Sequence, residues 1–172
     1  MMGFLYTCIS PLYEESLSIE KKNRAIRDIP EYFAIQKALS LSELNPSHLI
    51  ISFDTVVFYQ DRILGKPKSP EDALHMLCLL NGNSHEVITG IALASNNKII
   101  SSGKETTLVN FAEIEAKILK KYACSKEPMD KAGSYAIQGK GAIFINKIEG
   151  CYYNVMGVPI QRTLRLLRPF LK

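Results

Sequence analysis

Two adjacent runs, residues 85–95 (HEVITGIALAS) and 98–109 (KIISSGKETTLV), constrain this chain most strongly. Both are rich in apolar and β-branched residues, and only Asn96-Asn97, a pair suited to a tight turn, separates them. So short a connection returns the second strand beside the first, which places a sheet at the centre of the fold. Residues 49–59 read as a further strand, 142–148 as another, and 4–10 (FLYTCIS) as a short one stopped by Pro11. Helices are expected over 31–42, where Phe33, Ile35, Ala38 and Leu39 recur at helical spacing, and from Pro70 to Leu80. The second of these has Ser69 as cap, Pro at its first position, acids in its first turn and Asn81-Gly82 as its exit. Asn110 with Glu113 is expected to open a helix to about Ala123, and a last helix starts near 159. The segment from Ser16 to Arg27 is helix-compatible but weakly specified. Strands and helices do not alternate strictly, so the expected class is α/β with a mixed twisted sheet flanked by helices, in one domain over 1–172.

Composition narrows the function classes. Apolar residues make up 47% and charged residues 22%, which is ordinary for a globular chain with a packed core. The net charge of +4 is spread along the chain without interleaved aromatics, so a nucleic-acid groove is not expected, whereas a small anionic ligand is compatible. Cys8, Cys78, Cys124 and Cys151 form no close pair, and His48, His75 and His85 add no metal-ligand spacing. Reduced thiols in the cytoplasm are the simplest reading. No run reaches the ~18 apolar residues of a membrane span, and the first residues do not resemble a secretory leader.

Polar residues in unusual places indicate where chemistry would reside. Asp54 and Thr55 interrupt the apolar run 49–59, and a buried carboxylate is costly unless paired or bound to metal. Lys66-Pro67 follows, then Asp130-Lys131-Ala132-Gly133 leading to Gln138-Gly139, then Ile148-Glu149-Gly150 ahead of Tyr152-Tyr153-Asn154. Singly, each has a structural explanation: an ion pair for Asp54, a solvated loop for Lys66, a surface pair for Asp130 and Lys131, turns for the glycines. Together they make a set suited to a nucleoside triphosphate. Lysines neutralise phosphate oxygens, glycines let backbone N–H groups approach, and a carboxylate holds a divalent cation or orients water. A glutamine amide, one donor and one acceptor, can match the O4 and N3–H edge of uracil or thymine.

In order and spacing these segments resemble the Maf family of nucleoside triphosphate pyrophosphatases. The family's "ADTVV" corresponds to Phe53 to Val57, and its "ILGKP" stands unchanged at Ile63 to Pro67. Its "L-x-G-x-x-H-x-V-x-T-G-x-A-L" corresponds to Leu80 to Leu93, "EPLDKAGAYGIQG" to Glu127 to Gly139, and "IEGDYYNVVGLP" to Ile148 to Pro159. The resemblance implies a Maf/ITPase-like fold and hydrolysis of dTTP and UTP between the α- and β-phosphates, with Mg²⁺ or Mn²⁺. It implies Asp54 as proton acceptor for the attacking water and Thr55 and Gln138 as specificity positions. Lys37, Lys66 and Lys131 then serve as substrate-binding cations, and Asp54, Asp130 and Glu15 as metal-directed acids. It also implies a tendency to form homodimers.

The departures are part of the expectation. Family members begin with a strand and loop reading about "LASxSPRR", and nothing here matches it; FLYTCIS aligns with the family's second strand instead. An N-terminal strand, with the phosphate-binding arginines after it, is thus expected to be missing. Losing two such contacts would weaken binding or turnover by about two to four orders of magnitude. A rival expectation follows: a truncated or degenerate member that binds nucleotide weakly without turnover, or a reading frame that opens upstream of Met1. Phe53, Cys151 and Asp61-Arg62 are smaller departures.

Overall fold

The computed structural model describes residues 6–11, 13 and 25–171. Strands β1 (Ile50–Tyr59), β2 (Arg62–Leu64), β3 (Ser84–Ser95), β4 (Lys98–Phe111) and β5 (Ile145–Glu149) form one sheet in the order β2-β1-β3-β4-β5. Helices are α1 (Ile29–Ser42), α2 (Pro70–Leu80), α3 (Ala116–Ala123), α4 (Tyr152–Val155) and α5 (Ile160–Leu167). The long hairpin forms as its sequence requires: β3 and β4 pair from Ser84↔Asn110 to Ser95↔Lys98, closed by Asn96 and Asn97 at φ 50° and 57°. Gln60 and Asp61, at φ 47° and 58°, turn β1 into β2 in the same way. The α/β class holds, but every strand pair among the described residues is antiparallel, where a mixed sheet was expected.

Strand alternation divides the sheet into two faces. On one, α1 packs across β1, β3 and β4, with Ala34 and Ala38 against Ala92 and Ala94. The approach is close enough that a side chain at Gly90 would strike the Pro30 carbonyl at 2.2 Å, so glycine is required there. On the other face, Val57, Val87, Val109 and Phe111 build the main core with Leu77 and Leu80 of α2, Leu119 and Tyr122 of α3, and Phe144. Ser69 caps α2 as expected, accepting from the Asp72 N–H at 3.2 Å. No helix among the described residues is long and apolar enough to cross a membrane.

Three boundaries differ from expectation for physical reasons. Asn110 does not open a helix; it stays in β4, which runs on to bury Phe111, and α3 starts only at Ala116. Asn81 ties down the intervening turn, donating to the Ile114 carbonyl and accepting from its N–H. The strand expected over 142–148 begins at Ile145, because Lys140–Phe144 is wound into a 3₁₀ turn around Glu127. Residues 6–10 of the expected 4–10 strand join no ladder, and a run without a partner strand gains nothing from β propensity. Residues 4 and 5, and 16–24 of the 16–27 segment, lie outside the described residues; Ile26–Asp28 is a single 3₁₀ turn leading into α1.

Candidate active site

Asp54 and Thr55 are consecutive in β1 and therefore point to opposite faces of the sheet. Asp54 faces α1, is 7% exposed, and accepts a hydrogen bond from Lys37 Nζ at 2.5 Å. The helical period of α1 brings Lys37 there: Phe33 and Lys37, four residues apart, share one face of the helix. A cavity of about 490 Å³ is lined by Phe33, Lys37, Asp54 and Val56 from this face and by Phe53, Thr55, Val57 and Tyr135 from the other. It thus wraps around the edge of β1. Among the described residues β1 pairs with β2 only over Val57–Tyr59, so Ile50–Val56 meet no strand on that side.

Cations and acids converge on this opening. Gly65 and Lys66, Asp130 and Lys131, and Met156 and Gly157 all line it. The Gly133 N–H donates to the Gly65 carbonyl at 3.1 Å, which binds the Lys131 turn to the Lys66 loop. Gly133 is at φ 68° with Val57 2.9 Å from where a Cβ would stand, so both conformation and space demand glycine. Lys131 donates to Asp130 at 2.6 Å, and that hydrogen bond, with Lys66 acting through space, holds the Asp130 carboxyl below the usual range.

Of the sequence-derived candidates, Lys37, Asp54, Thr55, Lys66, Asp130 and Lys131 line one cavity. Gln138 does not: it is exposed on the loop after Tyr135, outside the lining. Glu15 lies outside the described residues. No cluster of three potential metal ligands occurs among the described residues. Two carboxylates on one cavity nevertheless suit a hard divalent cation, which would need further oxygens from water or a bound anion.

Several supporting residues were not among the site candidates read from the sequence. Glu127 accepts from the Tyr122 hydroxyl and from the N–H groups of Lys140 and Gly141, while Tyr122 in turn accepts from the Ala136 N–H. Partial burial works against ionisation of Glu127, but these donors outweigh it and keep its carboxyl below the usual range. The pair pins the loop bearing Gln138 at both ends. His85, 2% exposed, lies 2.8 Å from the Tyr135 hydroxyl, and burial pushes its pKa down to about 4, so the ring is neutral. Beneath Thr55 is a buried polar network. Asn154 donates to the Val87 carbonyl at 2.9 Å and to Thr107 Oγ1 at 3.0 Å, and Thr107 both donates to and accepts from the Cys151 backbone. Only the polarity of Thr89, Thr107 and Asn154 inside apolar segments hinted at it.

Comparison with known proteins identifies the family. The family model described as Maf-like protein matches residues 1–170. A dTTP/UTP pyrophosphatase of Bacillus cereus (strain G9842) is 48% identical over 143 residues, covering 83% of this chain and 74% of that protein. A dTTP/UTP pyrophosphatase of Bacillus anthracis is 47% identical over the same length and shares of both chains. With its sheet, its lysine-lined cavity and the paired acid of β1, this chain belongs to the family of Maf-like proteins.

Proposed function

We propose that this protein hydrolyses dTTP and UTP between the α- and β-phosphates, releasing the nucleoside monophosphate and pyrophosphate. The observation that carries the reading is the buried Asp54, its Oδ1 fixed by Lys37, in a cavity that Lys66 and Lys131 also line. The Asp54 carboxylate takes a proton from a water molecule, whose oxygen attacks the α-phosphorus. The bond from that phosphorus to the bridging oxygen breaks, and pyrophosphate leaves with the electron pair. Lys66 and Lys131 balance charge on the phosphates, and Lys37 keeps the carboxylate oriented. Asp54 and Asp130, with substrate phosphates, would hold Mg²⁺ or Mn²⁺, which supplies further charge neutralisation on the triphosphate. Thr55 is assigned to the base. Gln138 keeps its assignment to the base on amide chemistry alone, and Glu15 its assignment to the metal on the family resemblance.

The test is pyrophosphate release from dTTP, UTP and CTP with Mg²⁺ or Mn²⁺, comparing the native chain with Asp54→Asn. Activity on dTTP and UTP that falls by about 10²–10⁴-fold in the variant is expected for loss of a general base. A folded native sample that releases no pyrophosphate above the variant would overturn the reading in favour of nucleotide binding without turnover.

A further inference from the structure

Proton counting in the network beneath the cavity determines what Thr55 can offer a ligand. Thr89 is fully buried, and its Oγ1 lies 3.1 Å from the Asn154 backbone carbonyl and 2.9 Å from Thr55 Oγ1. A carbonyl oxygen can only accept, so the single Thr89 proton must lie toward Asn154; otherwise two bare oxygens would face each other in a dry interior. Thr89 Oγ1 must then accept from Thr55. The single Thr55 proton is consumed in that bond, and Thr55 presents only lone pairs to the cavity it lines. Gly157 leaves them uncovered, since a Cβ there would lie 3.2 Å from Thr55 Oγ1.

We infer that Thr89 is a specificity-determining positioning residue: by holding Thr55 as an acceptor only, it selects pyrimidines that present N3–H. This rests on the dTTP/UTP reading. Uracil and thymine have one donor on their pairing edge, N3–H, whereas cytosine has a bare N3 at that position. Opposite ring position 3, an acceptor-only Thr55 is satisfied by the first and repelled by the second, whose donor, the N4 amino group, stands one position away. Asn154 contributes through its backbone, because its carbonyl, which also accepts from the Gly157 N–H at 2.9 Å, is what orients the Thr89 proton.

The experiment is calorimetric binding of α,β-methylene-UTP and α,β-methylene-CTP to the native chain, Thr89→Val and Thr89→Ser, with melting temperature as the check on folding. Valine preserves shape but frees the Thr55 proton, so that Thr55 can donate to cytosine N3. The preference for the uracil nucleotide should fall by about tenfold, the worth of one hydrogen bond, and Thr89→Ser should restore it. Should the valine variant fail to fold, Thr89→Ala poses the same question against the serine variant. An unchanged preference in Thr89→Val, or no preference in the native chain, overturns the inference. Pyrophosphate release from UTP, measured alongside, separates the two claims. Hydrolysis with an unchanged preference sinks only the role of Thr89, and a preference lost in the valine variant without hydrolysis sinks only the catalytic reading.

Discussion

The two walls of the cavity are built on different physical principles. Beneath Thr55 lies a neutral network in which Thr89, Thr107 and Asn154 are all buried. Thr107 there fills its full capacity, one donor and two acceptors. At the other wall, Asp130 and Lys131 pair in the open, with side chains 70% and 42% exposed, and Lys66 stands exposed beside them. A neutral network is dried out at little cost when its donors are all used, as those of Thr89, Thr107 and Asn154 are, with Asn154 Oδ1 left without a partner among the described residues, and it then holds its geometry. An open charge pair contributes little to stability but remains free to exchange its partner for phosphate. The contrast teaches that the fold keeps one wall of the cavity rigid and leaves adaptable charge on the other.

The sharpest test of that contrast is Asn154→Ala. It removes two buried hydrogen bonds and opens a small cavity, which should cost about 2–4 kcal/mol and lower Tm by roughly 5–15 °C. A melting curve within a degree or two of the native one would show that the network is not what holds this wall.

Next comes His85, at the end of the same face. Its pKa of about 4 lies below the ordinary value, so between about pH 6.5 and 4 the unfolded chain binds a proton that the folded chain refuses. Stability from this group is complete above about 6.5 and declines as pH falls through that window, by about 3 kcal/mol in all. Denaturant unfolding across pH should show this decline in the native chain. In His85→Gln, which offers Tyr135 a hydrogen-bonding amide but cannot titrate, the acid slope should be shallower by that amount. Parallel curves would remove His85 from the account.

The smallest effect on stability is expected at the charged wall. Lys131→Met should change unfolding free energy by less than about 0.5 kcal/mol. It should raise the Kd for a triphosphate analogue about tenfold through loss of a charge-assisted contact. A large stability loss with unaltered binding would reverse the assignment of the two walls.

Much of this arrangement was legible in the chain. The Asn96-Asn97 turn with its flanking strands, α2 from its cap to Leu80, and the grouping of Asp54, Thr55, Lys66, Asp130 and Lys131 followed from local pattern and from family resemblance. Periodicity, caps and turns are carried by neighbours a few residues apart, so the sequence by itself determined them. Only the tertiary structure decided which polar groups satisfy one another. Thr55 meets Thr89 across 34 residues, Asn154 meets Thr107 across 47, and His85 meets Tyr135 across 50. It also decided that β4 runs past Asn110 to bury Phe111, that Gln138 stands outside the lining, and that the cavity wraps around the edge of β1. These outcomes depend on packing and desolvation, which act between surfaces that folding brings together and which no local stretch of the chain encodes.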